Sequence, residues 1–185
     1  MSTAPVKKLT WDDIKDWPEC HGRTEIVDGE LVMSPLPSID HQEICLRLGD
    51  ILRPFAQQRD LGEFFSIPVH VVLAEHVQYE PDLCFIAKQR LHIAPATTVQ
   101  GPPDLIIEVI SESTRTHDTV VKFRDYEQYD VQEYWLVDPR DEQIRVFSLE
   151  SGKYVLLGTF GGGDTVVSRI FAGLVLDPAQ VFRNL

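Results

Sequence analysis

The chain of 185 residues contains no apolar run approaching the ~18 residues that a membrane span needs. Its opening, from Met1 to Lys8, leads into Trp11, Asp12 and Asp13 without the apolar core of a secretory signal, so a cytoplasmic protein is expected. Cysteine is scarce: Cys20, Cys45 and Cys84 are odd in number, widely spaced and without a Cys-x-x-Cys pair. That excludes a disulfide framework and a thiolate zinc site, and predicts buried, reduced thiols. Positive charge is also in deficit, with 17 Lys and Arg against 29 Asp and Glu, a net charge of −12 and a pI near 4.8. A broad basic face for a polyanion is therefore excluded, and only a local group such as Arg115, Lys122 and Arg124 remains to meet phosphates. The glycines at 161–163 are followed by Asp164 and not by Gly-Lys-Ser/Thr, so they form a flexible turn and no phosphate loop. Internal repeats and low-complexity linkers are missing. What is present, 43% hydrophobic and 25% charged residues, suits one domain over residues 1–185 with a substantial core.

Local patterns supply the elements. Asp28 and Gly29 stand between two short alternating runs within residues 23–33, the signature of a tight β-hairpin. From Asp40 to Arg59 the residues Ile44, Leu48, Ile51, Leu52 and Phe55 recur at helical spacing, with Asp40 and Glu43 placed as a capping box. Pro54 is expected to kink this helix or end it early. Residues 64–73 and 83–87 are β-branched and aromatic, and residues 105–110 form a nearly unbroken apolar run that predicts a central strand covered on both faces. A helix is predicted over Asp118 to Asp130. Three strands follow, at 133–137, 143–149 and 153–160, separated by turns at Asp138–Asp141 and Ser151–Gly152.

Three residues in this frame point to chemistry. Glu108 interrupts the apolar strand, where an unpaired carboxylate is costly, so something must compensate it. An ion pair with a nearby Arg or Lys, or a place just beyond the sheet edge, would do so. Asp82, after Pro81, opens another apolar strand, which is also an ordinary way to start one. On the predicted helix Asp118, Lys122, Tyr126 and Tyr129 share one face, readable either as a helical ion pair above two packed tyrosines or as Lys122 directed at the space between Asp82 and Glu108. Two carboxylates and one ammonium at the end of a sheet could hold a divalent cation and a water beside a phosphodiester. Asp82, Glu108 and the carbonyl of Val109 would coordinate Mg²⁺ through hard oxygens, with Mn²⁺ as a possible substitute, and Lys122 would hold the nucleophile or stabilise developing charge. His41, on the side of Ile44 and Leu48, either lines this site or is simply a hydrogen-bonded histidine at a helix start. Glu43 is already explained as a cap. The Asp13-Ile14-Lys15 triplet lacks a preceding apolar strand and is set aside.

In their order and spacing, several pieces together resemble the Uma2-like proteins, which have a restriction-endonuclease-like fold of the PD-(D/E)xK nuclease superfamily. They are Glu25 to Val32, Ser34 and Pro35 followed by His41, Pro81-Asp82, the run from Pro103 through Glu108 to Ser111, Asp118, Lys122, Tyr129, and Glu133 to Pro139. The resemblance covers most of the chain. It implies an α/β (α+β) fold with a mixed central sheet flanked by helices and additional antiparallel strands, a metal site built from Asp82 and Glu108, and cleavage of DNA. The superfamily pattern wants Lys two residues after the second acid, where this chain has Ile110; the resemblance implies that Lys122 is a migrated lysine from the following helix. Duplex cutting by a one-site enzyme implies a homodimer, for which residues 154–157 offer an apolar strand. A non-catalytic nuclease-fold module for binding or assembly is the alternative, favoured by the acidic charge, and another metal-dependent phosphoesterase would use the same carboxylates.

Overall fold

The structure, a computed structural model, describes residues 7–17, 22–66 and 69–183. The expectation for Cys20 and that for the amino-terminal segment up to Val6 lie outside these residues. Cys45 and Cys84 are both free, the first half-buried and the second buried.

A short helix α1 (Trp11–Ile14) comes first, closed by a capping box between Thr10 and Asp13, which occupies the Asp13 carboxylate in a local role. The hairpin follows as β1 (Arg23–Val27) and β2 (Glu30–Ser34), paired in antiparallel register. Its two turn residues, Asp28 at φ 51° and Gly29 at φ 84°, have the left-handed backbone that such turns require. A Cβ on Gly29 would stand 2.5 Å from that of Lys8, so the position also needs the missing side chain.

Helix α2 (Ile39–Gln58) begins earlier than the sequence suggests. Its N-cap is Ser38, whose hydroxyl accepts the His41 N–H at 3.2 Å; Asp40 lies inside the first turn, and Glu43 pairs with Arg47 instead of closing a capping box. Pro54 neither ends nor shortens the helix. The carbonyl it orphans belongs to Asp50, and both residues face solvent, while Leu52 and Ala56 keep the last turns packed.

The single strand expected over 64–73 is two strands in different sheets, β3 (Gly62–Phe65) and β4 (His70–Ala74). Next come β5 (Val77–Tyr79), β6 (Leu83–Ala87), a 3-10 helix (Lys88–Ile93), β7 (Thr98–Gln100) and β8 (Leu105–Val109). A π-helix (His117–Lys122) runs directly into α3 (Phe123–Gln128). The chain closes with β9 (Glu133–Asp138), β10 (Gln143–Glu150), β11 (Lys153–Phe160) and α4 (Ala179–Phe182).

The strands form two mixed sheets flanked by helices. One has the order β2-β1-β5-β4-β7, the other β11-β10-β9-β8-β6-β3, with β8 and β9 parallel at the centre of the larger. Alternation along β8 sorts its side chains: Leu105, Ile107 and Val109 pack with Ile44, Leu48, Leu52 and Ala56 of α2. Ile106 and Ile110 face the other way, toward Tyr126 of α3 and Tyr79 of β5. Both faces are covered, which is why the run reads as continuously apolar. Glu108 falls in the second set and points at the layer formed by the helix and the smaller sheet. Among the described residues no helix is long and apolar enough to cross a membrane.

Candidate active site

Five pieces of chain converge at the end of the larger sheet. Asp82 sits immediately before β6, Glu108 and Val109 end β8, and the adjacency of these strands brings the two acids together. The Asp82 N–H faces Glu108 Oε2 at 3.4 Å, and the Val109 N–H donates to Asp82 Oδ2 at 2.7 Å. The start of α2 adds His41, with Nε2 3.1 Å from Asp82 Oδ2. The π-helix adds Asp118 and Lys122, and the smaller sheet adds Arg23 and Glu25 through β1.

Lys122 is buried among acids. Its Nζ lies 2.9 Å from Glu108 Oε1, 2.9 Å from Glu25 Oε1 and 3.5 Å from Asp118 Oδ1. Tyr126 also donates to Glu108 Oε1, at 2.9 Å, and His117 Nε2 lies 2.8 Å from Glu25 Oε2. Asp118 and Lys122, four residues apart, share one inward face of the π-helix, a local geometry that recurs at functional sites. The fourth residue of the expected stripe, Tyr129, is only half-buried and packs at the margin; Asp125 is buried instead and accepts the Tyr79 hydroxyl at 2.5 Å.

The space between Asp82 and Glu108 is held by Arg23 and not by Lys122. The Arg23 guanidinium is hydrogen-bonded through Nη2 to Asp82 Oδ1, and its Nη1 lies 4.0 Å from Glu108 Oε2. Arg23 and Glu25 are functional candidates that sequence reasoning missed. The available signal was two charges at i and i+2 on a strand whose alternation places them on one face.

These neighbours split the two acids electrostatically. Burial works to raise the Asp82 carboxyl, but the His41 hydrogen bond, the Arg23 charge and the Val109 N–H outweigh it and hold the group at about 2. Burial dominates at Glu108 and, with the nearby charges of Asp82 and Asp118, pushes it up to about 8 against the pull of Lys122. Burial opposes ionisation of Glu25 too, yet Lys122 and His117 bring that group down to about 2. Two adjacent carboxylates with opposite displacements are the arrangement that acid–base chemistry uses.

A cavity of about 210 Å3 opens onto this cluster, with Arg23, His41, Asp82, Val109 and Asp118 on its wall beside hydroxyls such as Thr114. Glu108 and Lys122 lie behind that wall. The anticipated basic group does not form: Arg115 is in a two-point pair with Asp138 at 2.7 and 3.2 Å, Arg124 pairs with Asp125 at 2.7 Å, and Lys122 is buried.

The donors fit a hard divalent cation. Asp82 Oδ1 and Glu108 Oε2 already face one cationic group, the Arg23 guanidinium, which marks a locus where positive charge is compensated by oxygen donors. Among the described residues, His41, Cys45 and Asp82 also bring ligand atoms within 4.8 Å of one another. Burial pushes the Cys45 thiol far up, so it is protonated in the metal-free protein.

The two mixed sheets flanked by helices form a fold shared with a solved nuclease-type structure. A family model described as "Uma2: Putative restriction endonuclease" matches residues 11–179, and the chain belongs to that family. A crystal structure described as a "putative nuclease belonging to DUF820" from Anabaena variabilis is similar over 94% of this chain and 97% of its own, with a TM-score of 0.80 at 18% identity. The type IIG restriction endonuclease BpuSI matches 83% of this chain and 17% of its own, with a TM-score of 0.40 at 19% identity. No curated protein matches the chain.

Proposed function

We propose that the protein is a Mg²⁺-dependent endonuclease that hydrolyses phosphodiester bonds in DNA, with Mn²⁺ able to substitute. The observation that carries this reading is the convergence of Asp82 and Glu108, both buried, on one cationic locus beside a hydroxyl-lined cavity. Membership of a family described as "Putative restriction endonuclease" supports it.

Asp82, Glu108 and the carbonyl oxygen of Val109 would hold the cation. When bound it supplies Lewis-acid polarisation of a phosphoryl oxygen and a nucleophile at neutral pH. The protein's own groups do the positioning. The Val109 N–H and His41 fix the Asp82 carboxylate, and Tyr126 with Lys122 fixes that of Glu108. Lys122 takes the role of the migrated lysine: its charge, one carboxylate behind the cavity wall, opposes the charge that builds on the phosphate. Thr114 and its neighbouring serines offer hydroxyl donors to the non-reacting oxygens.

Cutting a duplex with one such site per chain calls for a homodimer of single-domain protomers, and the edge strand β11, with Val155 and Leu156 exposed, offers the pairing surface. Incubating supercoiled plasmid and single-stranded DNA with wild type, Asp82→Ala and Glu108→Ala in Mg²⁺ or Mn²⁺ tests the reading. Cation-dependent cleavage lost in both variants is expected; no cleavage by wild type in either cation would overturn it. A second reading, a non-catalytic nuclease-fold module, draws on the net charge of −12 and the pairing of Arg115 and Arg124 with acids. It is favoured if metal binds and no DNA is cut.

A further inference from the structure

We infer that Arg23 is an exchangeable internal cation: it closes the Asp82–Glu108 pair when no metal is bound and must leave that place for a divalent ion to enter, moving into the adjoining cavity. The inference rests on the metal-centre reading above. Asp82 Oδ1 has the Arg23 guanidinium as its partner, while Oδ2 is taken by His41 and the Val109 N–H. The same guanidinium faces Glu108 Oε2 at 4.0 Å, and the companion oxygen is held by Lys122 and Tyr126. The two oxygens with the most capacity left for a metal are therefore the two that face Arg23, since Glu108 Oε2 has otherwise only the long 3.4 Å contact from the Asp82 N–H.

Lys122 could not yield in this way. It is enclosed by three carboxylates, with its side chain 3% exposed, and is absent from the cavity wall. Arg23 is different, since its side chain is 18% exposed and borders the cavity, so a rotation about its long side chain carries the charge outward without moving β1. The receiving space suits it: Ser34, Ser38 and Thr114 line the cavity and can accept guanidinium hydrogens. A displaced guanidinium there also meets an incoming phosphate with its planar fork, the geometry in which Arg binds such groups best. Metal entry and phosphate capture thereby become linked: each favours the outward position of Arg23, so each strengthens the other.

The test is calorimetric titration of Mn²⁺ into wild type, Arg23→Met and Asp82→Asn. Removing the competing cation should make Mn²⁺ binding about tenfold tighter in Arg23→Met, an equivalent of about 1.4 kcal/mol, and Asp82→Asn should abolish it. Arg23→Met should also melt lower than wild type without metal and regain that loss with saturating Mn²⁺. Equal or weaker binding in Arg23→Met than in wild type overturns the inference and leaves the metal centre standing; absence of binding to both overturns the two together. Should Arg23→Met fail to fold, the Nε–H resonance of Arg23 in ¹⁵N-arginine-labelled wild type serves in its place. Mg²⁺ should shift that signal toward a solvent-exchanging position, and a metal-loaded protein with the signal unchanged refutes the exchange.

Discussion

Lys122 and Glu108 meet at 2.9 Å with 3% and 1% of their side chains exposed, and the same ammonium holds Glu25 at 2.9 Å from the other sheet. One cation thus ties the π-helix, the central strand and the hairpin together. Buried ions held this way contribute little as pairs, but removing one partner strands the others.

Lys122→Met should lower the free energy of unfolding by about 3–5 kcal/mol, because the buried Glu25 carboxylate loses its counter-charge and Glu108 loses a donor. Adding Glu25→Gln to that variant should recover part of the loss. Urea unfolding of the two single variants and the double variant gives the coupling, and strictly additive losses would deny the shared role.

Glu25 makes a pH prediction of definite sign. Its folded value of about 2 lies below the ordinary 4.5, so its contribution is present above pH 4.5 and is lost as pH falls through 2. The difference corresponds to about 3 kcal/mol. Glu108 has the opposite sign: its folded value is raised to about 8, so its contribution is present below 4.5 and fades as pH rises through 8. Unfolding followed by circular dichroism from pH 2 to 9 should show a shallower acid limb in Glu25→Gln and a flatter alkaline limb in Glu108→Gln, each relative to wild type.

Glu133 lies fully buried on the opposite face of β9 and accepts from Trp135 Nε1 at 2.7 Å, Ser168 Oγ at 2.6 Å and the Arg169 N–H at 2.7 Å. Glu133→Ala leaves these donors without a partner and should cost about 3 kcal/mol or more. Hydrogen exchange should accelerate at Arg169, while Mn²⁺ binding at the distant cluster is retained. Unchanged exchange there would show that the carboxylate does not hold this segment.

Pro54 sits inside α2 without breaking it. Pro54→Ala restores a donor toward Asp50 and removes an interior proline, so a gain of about 1–3 kcal/mol is expected in thermal unfolding. A fall in stability would mean that the ring's packing outweighs the lost hydrogen bond.

Much of this architecture is legible without coordinates, and the exceptions share a cause. Asp28 and Gly29 suffice for the hairpin, and the closing meander follows from alternation and turn residues. The run around Glu108 declares a strand covered twice. These are short-range patterns, set by φ, ψ and side-chain period. The three-residue strands β5 and β7 are too short to have a period. Residues 64–73 are uniformly strand-forming, so nothing local says that the chain changes sheets between them. The π register keeps the same residues that an α-helix would use and is decided by what must face inward. At the site, Asp82 and Glu108 stand out because each punctuates an apolar run, and Lys122 because it shares a helix face with Asp118. Arg23 and Glu25 do not, since charges on an alternating hairpin read as its wet face. Only the docking of the smaller sheet against the end of the larger turns that face inward, and its contacts join residues as far apart in the chain as Glu25 and Lys122.

Because β1 supplies Arg23 and Glu25, the loop before β6 supplies Asp82, and the helix beyond β8 supplies Lys122 and Tyr126, the cluster is gathered from stretches more than a hundred residues apart. A polypeptide still emerging from the ribosome therefore has no complete site until Tyr126 has left the tunnel and both sheets have docked. Whatever reaction these residues perform is withheld from any copy cut short before that point.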